Sequence, residues 1–316
     1  MSQITFSNAA VIGTGMMGPG IAATLALGGV RTTILSRSTD GAWKGLEKAR
    51  AQVRLLEENA LASAERASAA RDSLRSSANL DEAASTADII IESVPEDLGF
   101  KQDLFARLDA LAKGDAVLAT NTSGLSITAI AAKCSRPERV LTAHFWNPPH
   151  LMPLVEIVKG ERTSGAVAAA VRDLLTSCGK VAVMVKKDRP GQLGNRLQMA
   201  LWREAVHIVQ EGIADAEDVD KAAKAGFGLR LPVYGIFEHA DAVGLHLAHA
   251  VMDYTAGDLY SEPKAPPLLK EMIERGETGV RAGKGFYDWS KKSIDEVIAR
   301  RDRFVLEMLR SGVVGR

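Results

Sequence analysis

Residues 9–38 read AAVIGTGMMGPGIAATLALGGVRTTILSRS, and this stretch decides the fold. Ala9 to Ile12 is a short apolar run suited to a buried strand. It enters Gly13-Thr14-Gly15-Met16-Met17-Gly18, and a helical stretch follows from Met16 to about Leu27. Gly28-Gly29 closes it, and Thr32 to Leu35 forms a second apolar strand. Strand, glycine-rich turn, helix and strand in that order are the setting a dinucleotide fingerprint needs. Gly13 permits the tight turn, Gly15 lets backbone approach a pyrophosphate, and Gly18 lets the helix lie close to the strand. The backbone of Gly13, Gly15, Met16, Met17 and Gly18 is therefore the candidate phosphate cradle, at the free N–H groups of a helix start.

The tip of the second strand departs from the usual pattern. NAD sites place an acid there to accept hydrogen bonds from the ribose 2′-OH. This chain has Leu35-Ser36-Arg37-Ser38. An acid repels a 2′-phosphate, whereas Arg37 beside two hydroxyls suits one. The cofactor expectation is NAD(P), with a slight lean to NADP from Ser36 and Arg37. The competing reading has Arg37 stacking on the adenine or facing water.

Outward from this unit, strands and helices alternate. Residues 41–77 have helical spacing with a break near Glu58-Asn59, a helical hairpin inserted in the sheet domain. Strands are expected at 88–92, 116–119, 140–145, 154–158 and 181–185, and helices at 98–111, 126–132 and 164–178. Alternation ends at Asp188-Arg189-Pro190-Gly191. Beyond it the pattern is helical, including 193–212, 216–225, 231–253 and 294–309. The fold class is α/β: an N-terminal Rossmann-type doubly wound sheet over 1–187, then an all-helical domain over 188–316.

Composition narrows the function. The 316 residues carry 39 Lys+Arg against 39 Asp+Glu, a balance that favours neither nucleic acid nor an anionic membrane. No apolar run approaches a membrane span, and MSQITFSNAAVIG lacks the basic and apolar regions of a signal peptide. Cys134 and Cys178, far apart, read as small core side chains in a reducing cytoplasmic protein. His246 and His249 stand three apart without the company a metal site needs, so no metal is expected.

The chemistry points to HFWNPPHLMPLVEIV, residues 144–158. Glu156 sits among Leu154, Val155, Ile157 and Val158, and a buried carboxylate needs a partner. Asn147-Pro148-Pro149 can turn its strand back beside the one that ends in His144. A histidine with a carboxylate on one ring nitrogen is suited to take a hydroxyl proton as hydride leaves. Asn121, Thr122 and Ser123 follow another strand, at the carboxyl end where such sheets bind ligands. Asn195 heads a helix just past the domain boundary and is placed to reach the interdomain cleft. Ser123 and Asn195 are candidates to hold the substrate oxygen; Asn121 belongs with the cofactor contacts. Trp146 and the other tryptophans read as core packing. In Gly226-Phe227-Gly228-Leu229-Arg230 the arginine suits a substrate carboxylate, with a surface ion pair as the competing reading.

GTGMMGPGIA, ADIIIESVPEDLGFKQDLF, NTSGLSIT, HFWNPPHLMPLVEIV, GNRL and GKGFYDW together give the chain a resemblance to the 3-hydroxyacyl-CoA dehydrogenases along nearly its full length. The resemblance implies His144 as catalytic base, Glu156 as its partner, and Ser123 and Asn195 as substrate contacts. It implies Glu96 and Lys101 near the cofactor, and a homodimer through the helical domain. Hydride would pass between NAD(P) and the hydroxyl-bearing carbon of a 3-hydroxyacyl-CoA or related 3-hydroxy acid. There are departures. Ser36 replaces an acid, Gln192 replaces the phenylalanine of Pro-Gly-Phe, and Gln52 and Asn59 fall where CoA-using members have a serine and a lysine. Similarity also extends to relatives that oxidise CoA-free hydroxy carboxylates of pyridine or sugar-acid type. A dinucleotide-binding protein without turnover is the reading from another class.

Overall fold

The computed structural model describes residues 4–313. Two compact units divide it, the first ending at Asn195 and the second beginning at Arg196. The first unit thus runs past the Asp188–Gly191 turn where the sequence pattern changes. The reason is local bonding: Asp188 accepts from Ser126 Oγ and the Thr128 N–H, and Gln192 donates to the Thr122 carbonyl.

The first unit is an eight-stranded sheet in the order β3-β2-β1-β4-β5-β6-β7-β8. Its strands are β1 (Asn8–Ile12), β2 (Arg31–Leu35), β3 (Leu74–Ser77), β4 (Ile89–Glu92), β5 (Val117–Thr120), β6 (Val140–Phe145), β7 (Leu154–Lys159) and β8 (Val181–Val185). The strands from β3 to β6 in this order are parallel, β7 runs antiparallel to β6, and β8 is parallel to β7. Helices α1 (Gly18–Leu27), α2 (Thr39–Glu58), α3 (Ala64–Ser73), α4 (Leu80–Thr86), α5 (Leu98–Leu111), α6 (Ile127–Ile130) and α7 (Gly165–Ser177) belong to this unit.

The central strands read as unbroken apolar runs because both faces are covered. Ile89 and Ile91 enter one core with Val11 and Ile21, while Ile90 enters the other with Phe105 and Leu118. In β7 the same alternation sends Val155 and Ile157 to the first core and Val158 to the second. Glu156 shares the face of Val158, so its burial follows from strand geometry rather than from loss of the pattern.

The second unit holds the rest of α8 (Gly194–Gln210), then α9 (Ala216–Ala225), α10 (Phe227–Arg230), α11 (Ile236–Val243), α12 (Leu245–Ala256), α13 (Pro267–Glu274) and α14 (Ile294–Ser311). Among its described residues only Pro266 and Met272 are buried. The continuous helix expected over 231–253 is two helices, because Gly244 adopts φ +90° and ends α11. Residues 74–77, expected within the helical hairpin, form β3 against β2. No helix among the described residues is long and apolar enough to cross a membrane.

Candidate active site

The glycine loop is built for close approach of a ligand. Gly13 has φ +113°, in the region that favours glycine, and a Cβ on Gly18 would lie 1.8 Å from the Gly13 carbonyl oxygen. Above Gly15 nothing lies within 4 Å of a Cβ position, so the loop's outer surface is open. Met17 caps α1 without a side-chain hydrogen bond, and the first turn has no acid. No side chain caps the amide N–H groups there, and the positive helix end lies behind them. These residues fit a dinucleotide pyrophosphate. Met16 is exposed, Met17 packs on the core, and Arg37 at the tip after β2 is exposed. Ser36 donates its N–H to the Ser77 carbonyl.

His144 and Glu156 are register partners in the antiparallel β6–β7 pair. His144 Nδ1 lies 2.7 Å from Glu156 Oε2. The same oxygen accepts the Trp146 indole N–H at 3.0 Å. Oε1 accepts the backbone N–H groups of Leu193 and Gly194 at 2.9 and 2.8 Å. Burial by itself raises the Glu156 pKa, but the bonds from His144, Gly194, Trp146 and Leu193 more than offset it and hold the carboxyl down at about 2. Glu156 is thus anionic, which fixes the proton of a neutral His144 on Nδ1 and leaves Nε2 as acceptor. The β6–β7 turn is braced from outside: the buried Lys180 ammonium donates to the carbonyls of Pro149 and Met152 at 2.6 and 3.1 Å. Burial pulls the Lys180 pKa down to about 8.

Beyond β5, Asn121 Oδ1 accepts the Phe145 N–H at 2.7 Å, tying the ends of β5 and β6 together. Glu96 accepts from the Thr122 hydroxyl at 2.8 Å and from the Ser123 N–H at 2.7 Å. Asn195 Nδ2 donates to the Ser123 carbonyl at 3.2 Å. Ser123 is itself exposed. Lys101, expected beside the cofactor, is turned inward and 1% exposed. Its ammonium lies 2.6 Å from Glu92 and 3.6 Å from Glu96. Glu92 also accepts from the Thr120 hydroxyl at 2.7 Å. Lys101 therefore supports the loop through Glu96 rather than presenting its charge outward. Arg230 belongs to the second unit, where its guanidinium donates to His239 Nε2 at 2.9 Å.

From the sequence alone Trp146 is a packing residue and Gln192 has no part in the site. Gln192 is buried, with φ +53°, and its amide donates to the Thr122 carbonyl at 2.8 Å. The signal for Trp146 was its place two residues after His144 on the same run. Gln192 carried no signal beyond its departure from the expected phenylalanine.

The 3-hydroxyacyl-CoA dehydrogenase NAD-binding domain matches residues 8–189, and the C-terminal domain of that family matches 191–289. The chain is 35% identical over 305 residues to 5-formyl-3-hydroxy-2-methylpyridine 4-carboxylate 5-dehydrogenase of Mesorhizobium japonicum, covering 96% of this chain and 97% of the relative. It is 35% identical over 284 residues to a probable 3-hydroxybutyryl-CoA dehydrogenase of Bacillus subtilis, covering 90% and 97%. A crystal structure of 5-formyl-3-hydroxy-2-methylpyridine 4-carboxylic acid 5-dehydrogenase, described as an NAD+-dependent dismutase, superposes with TM-score 0.90 at 33% identity, covering 99% of this chain and 100% of that one. The chain belongs to the 3-hydroxyacyl-CoA dehydrogenase family and is an NAD-dependent dehydrogenase acting on a CH–OH group.

Proposed function

We propose that the protein oxidises the hydroxyl-bearing carbon of a small hydroxy carboxylate, with His144 as general base and Glu156 as its fixed partner. The observation that carries the reading is the 2.7 Å contact between a carboxylate held ionised and the imidazole of His144. NAD, when bound, supplies the nicotinamide ring that accepts the hydride. As the C–H bond gives up its electron pair, the hydroxyl proton passes to His144 Nε2 and the carbon becomes a carbonyl. Glu156 stabilises the resulting imidazolium without taking its proton, as the carboxylate of a serine-protease triad does. Ser123 and Asn195 hold the substrate oxygen, and Glu96 and Asn195 set the loop that carries Ser123.

A 3-hydroxyacyl-CoA is the first substrate class the family suggests; two observations favour a CoA-free acid. Asn59, where CoA-using relatives have a lysine, spends its amide on the Leu55 carbonyl. The structural likeness to the pyridine carboxylate dehydrogenase, TM-score 0.90, exceeds that to the matched 3-hydroxyacyl-CoA and 3-hydroxybutyryl-CoA dehydrogenase structures, 0.67 to 0.76. Arg230, whose guanidinium donates to His239 Nε2, is the charge we assign to a substrate carboxylate.

The absence of an acid at Ser36-Arg37 supports acceptance of NADP beside NAD; Ser36→Asp then moves selectivity towards NAD. The sparse burial within the second unit supports a homodimer formed through its helices. Cys134 and Cys178 are unpaired thiols whose pKa burial pushes up to about 11, in keeping with a reducing cytoplasm.

The test is a panel of free hydroxy carboxylates and 3-hydroxyacyl-CoAs with both cofactors, following absorbance of the reduced nicotinamide, on wild type and His144→Ala. Turnover of free acids with at least a 100-fold loss in the variant, at unchanged cofactor affinity, is expected. A variant near the wild-type rate rejects the base assignment, and turnover of acyl-CoAs alone rejects the CoA-free reading.

A further inference from the structure

The geometry points to Trp146 as a positioning residue for proton transfer: its indole N–H shares Glu156 Oε2 with His144 and fixes the carboxylate that orients the base. The inference rests on the reading of His144 and Glu156 as the base pair. Trp146 follows β6 and stands on the chain two residues after His144. Its ring centroid is 5.8 Å from that of His144, with the planes tilted by 55°. Its Nε1 lies 3.0 Å from Oε2, the same atom that faces His144 Nδ1 at 2.7 Å.

The other carboxylate oxygen is occupied too. Leu193 and Gly194 donate their N–H groups to Oε1. A carboxylate offers about four lone-pair sites, and here four donors meet it. Trp146 also shapes the ground on which two of those donors stand. A Cβ on Gly194 would fall 2.5 Å from indole Cζ2, so the ring lies against the Gly194 backbone in space no side chain can share. One residue thus supplies a donor to Oε2 and a wall for the segment that supplies both donors to Oε1.

Removing the indole N–H while keeping a ring isolates this role. Without it Oε2 has one donor, and the carboxylate can tilt about its remaining bonds. The imidazole follows, and Nε2 loses its aim at the substrate hydroxyl. A misplacement of this kind lowers the rate of the chemical step and leaves substrate binding alone. A tryptophan that merely filled space would lower stability without singling out kcat.

The experiment is a double-mutant cycle on the full chain, pairing Trp146→Phe with Glu156→Gln, and measuring kcat, KM, NAD affinity and Tm. Trp146→Phe is expected to lower kcat by about 10-fold with KM and NAD affinity changed less than about 2-fold. In the Glu156→Gln background the same change should alter kcat by less than about 2-fold, because its target is already gone. Gly194→Ala, which drives a methyl group against the indole but keeps its N–H, should likewise lower kcat with little change in KM. Equal fold losses in both backgrounds overturn the inference, as does wild-type kcat in Trp146→Phe. Should Trp146→Phe fail to fold, the Gly194→Ala result decides: unchanged kcat overturns the inference. If His144→Ala is inactive while Trp146→Phe is not, the base assignment stands and only the role of Trp146 fails.

Discussion

His144 and Glu156 stand directly opposite each other on neighbouring antiparallel strands, so the sheet itself sets their 2.7 Å contact. Residues paired across such strands point to the same face, and a slip of one position would send the carboxylate to the other side. The ladder sets where the two residues stand, and the donors around Glu156 set how its carboxylate is turned.

The state of Glu156 makes stability depend on acid. Its folded pKa, about 2, lies below the ordinary 4.5. A depressed carboxyl contributes stability that is present above about pH 4.5 and is lost as pH falls towards 2. The contribution is on the order of 3 kcal/mol. Glu156→Gln puts an amide N–H₂ where Oε2 meets two donors, and should cost a similar amount at pH 7. Urea unfolding of wild type and variant at pH 7, 5 and 3 should show the gap closing as pH falls. A gap constant across that range would contradict the assignment of an ionised Glu156.

Gly18→Ala should cripple the cofactor site. The added Cβ would lie 1.8 Å from the Gly13 carbonyl oxygen, so the loop must move. We expect NAD affinity to fall by at least about 10-fold, with a stability cost of about 1–3 kcal/mol. Calorimetric titration with NAD checks this; wild-type affinity would mean the cradle is not where the cofactor binds.

Lys101→Met should destabilise the sheet domain more than a surface lysine change would. It leaves Glu92, fully buried, without its 2.6 Å partner. Uncompensated buried charge of this kind costs about 3–5 kcal/mol. Thermal unfolding at neutral pH measures it, and a loss below about 1 kcal/mol would show that water or another group replaces the lysine.

Much of the sheet domain was legible because its signals are local. The apolar runs of β1, β4, β5 and β6 are buried on both faces and stand out in any window. Leu74–Ser77 was not legible: Leu-Arg-Ser-Ser has neither alternation nor an apolar run, and only pairing with β2 makes it a strand. Gly244 was visible, but its power to split a helix depends on the positive φ it adopts. In the site, His144 and Glu156 could be related through the turn between their strands. The donors that complete the carboxylate shell come from Trp146, Leu193 and Gly194, and backbone N–H groups have no residue signature. The inward turn of Lys101 was equally hidden, since burial is a property of the packed sheet.

The uneven distribution of buried residues has a consequence for how the chain is made. Both cores lie before Asn195, whereas the following helices bury little by themselves. Synthesis at about 5–20 residues per second leaves the ribosome several seconds of work after the last strand has emerged. The nucleotide-binding half can settle during that interval, and the late-emerging helices leave the ribosome with their apolar faces still in search of cover.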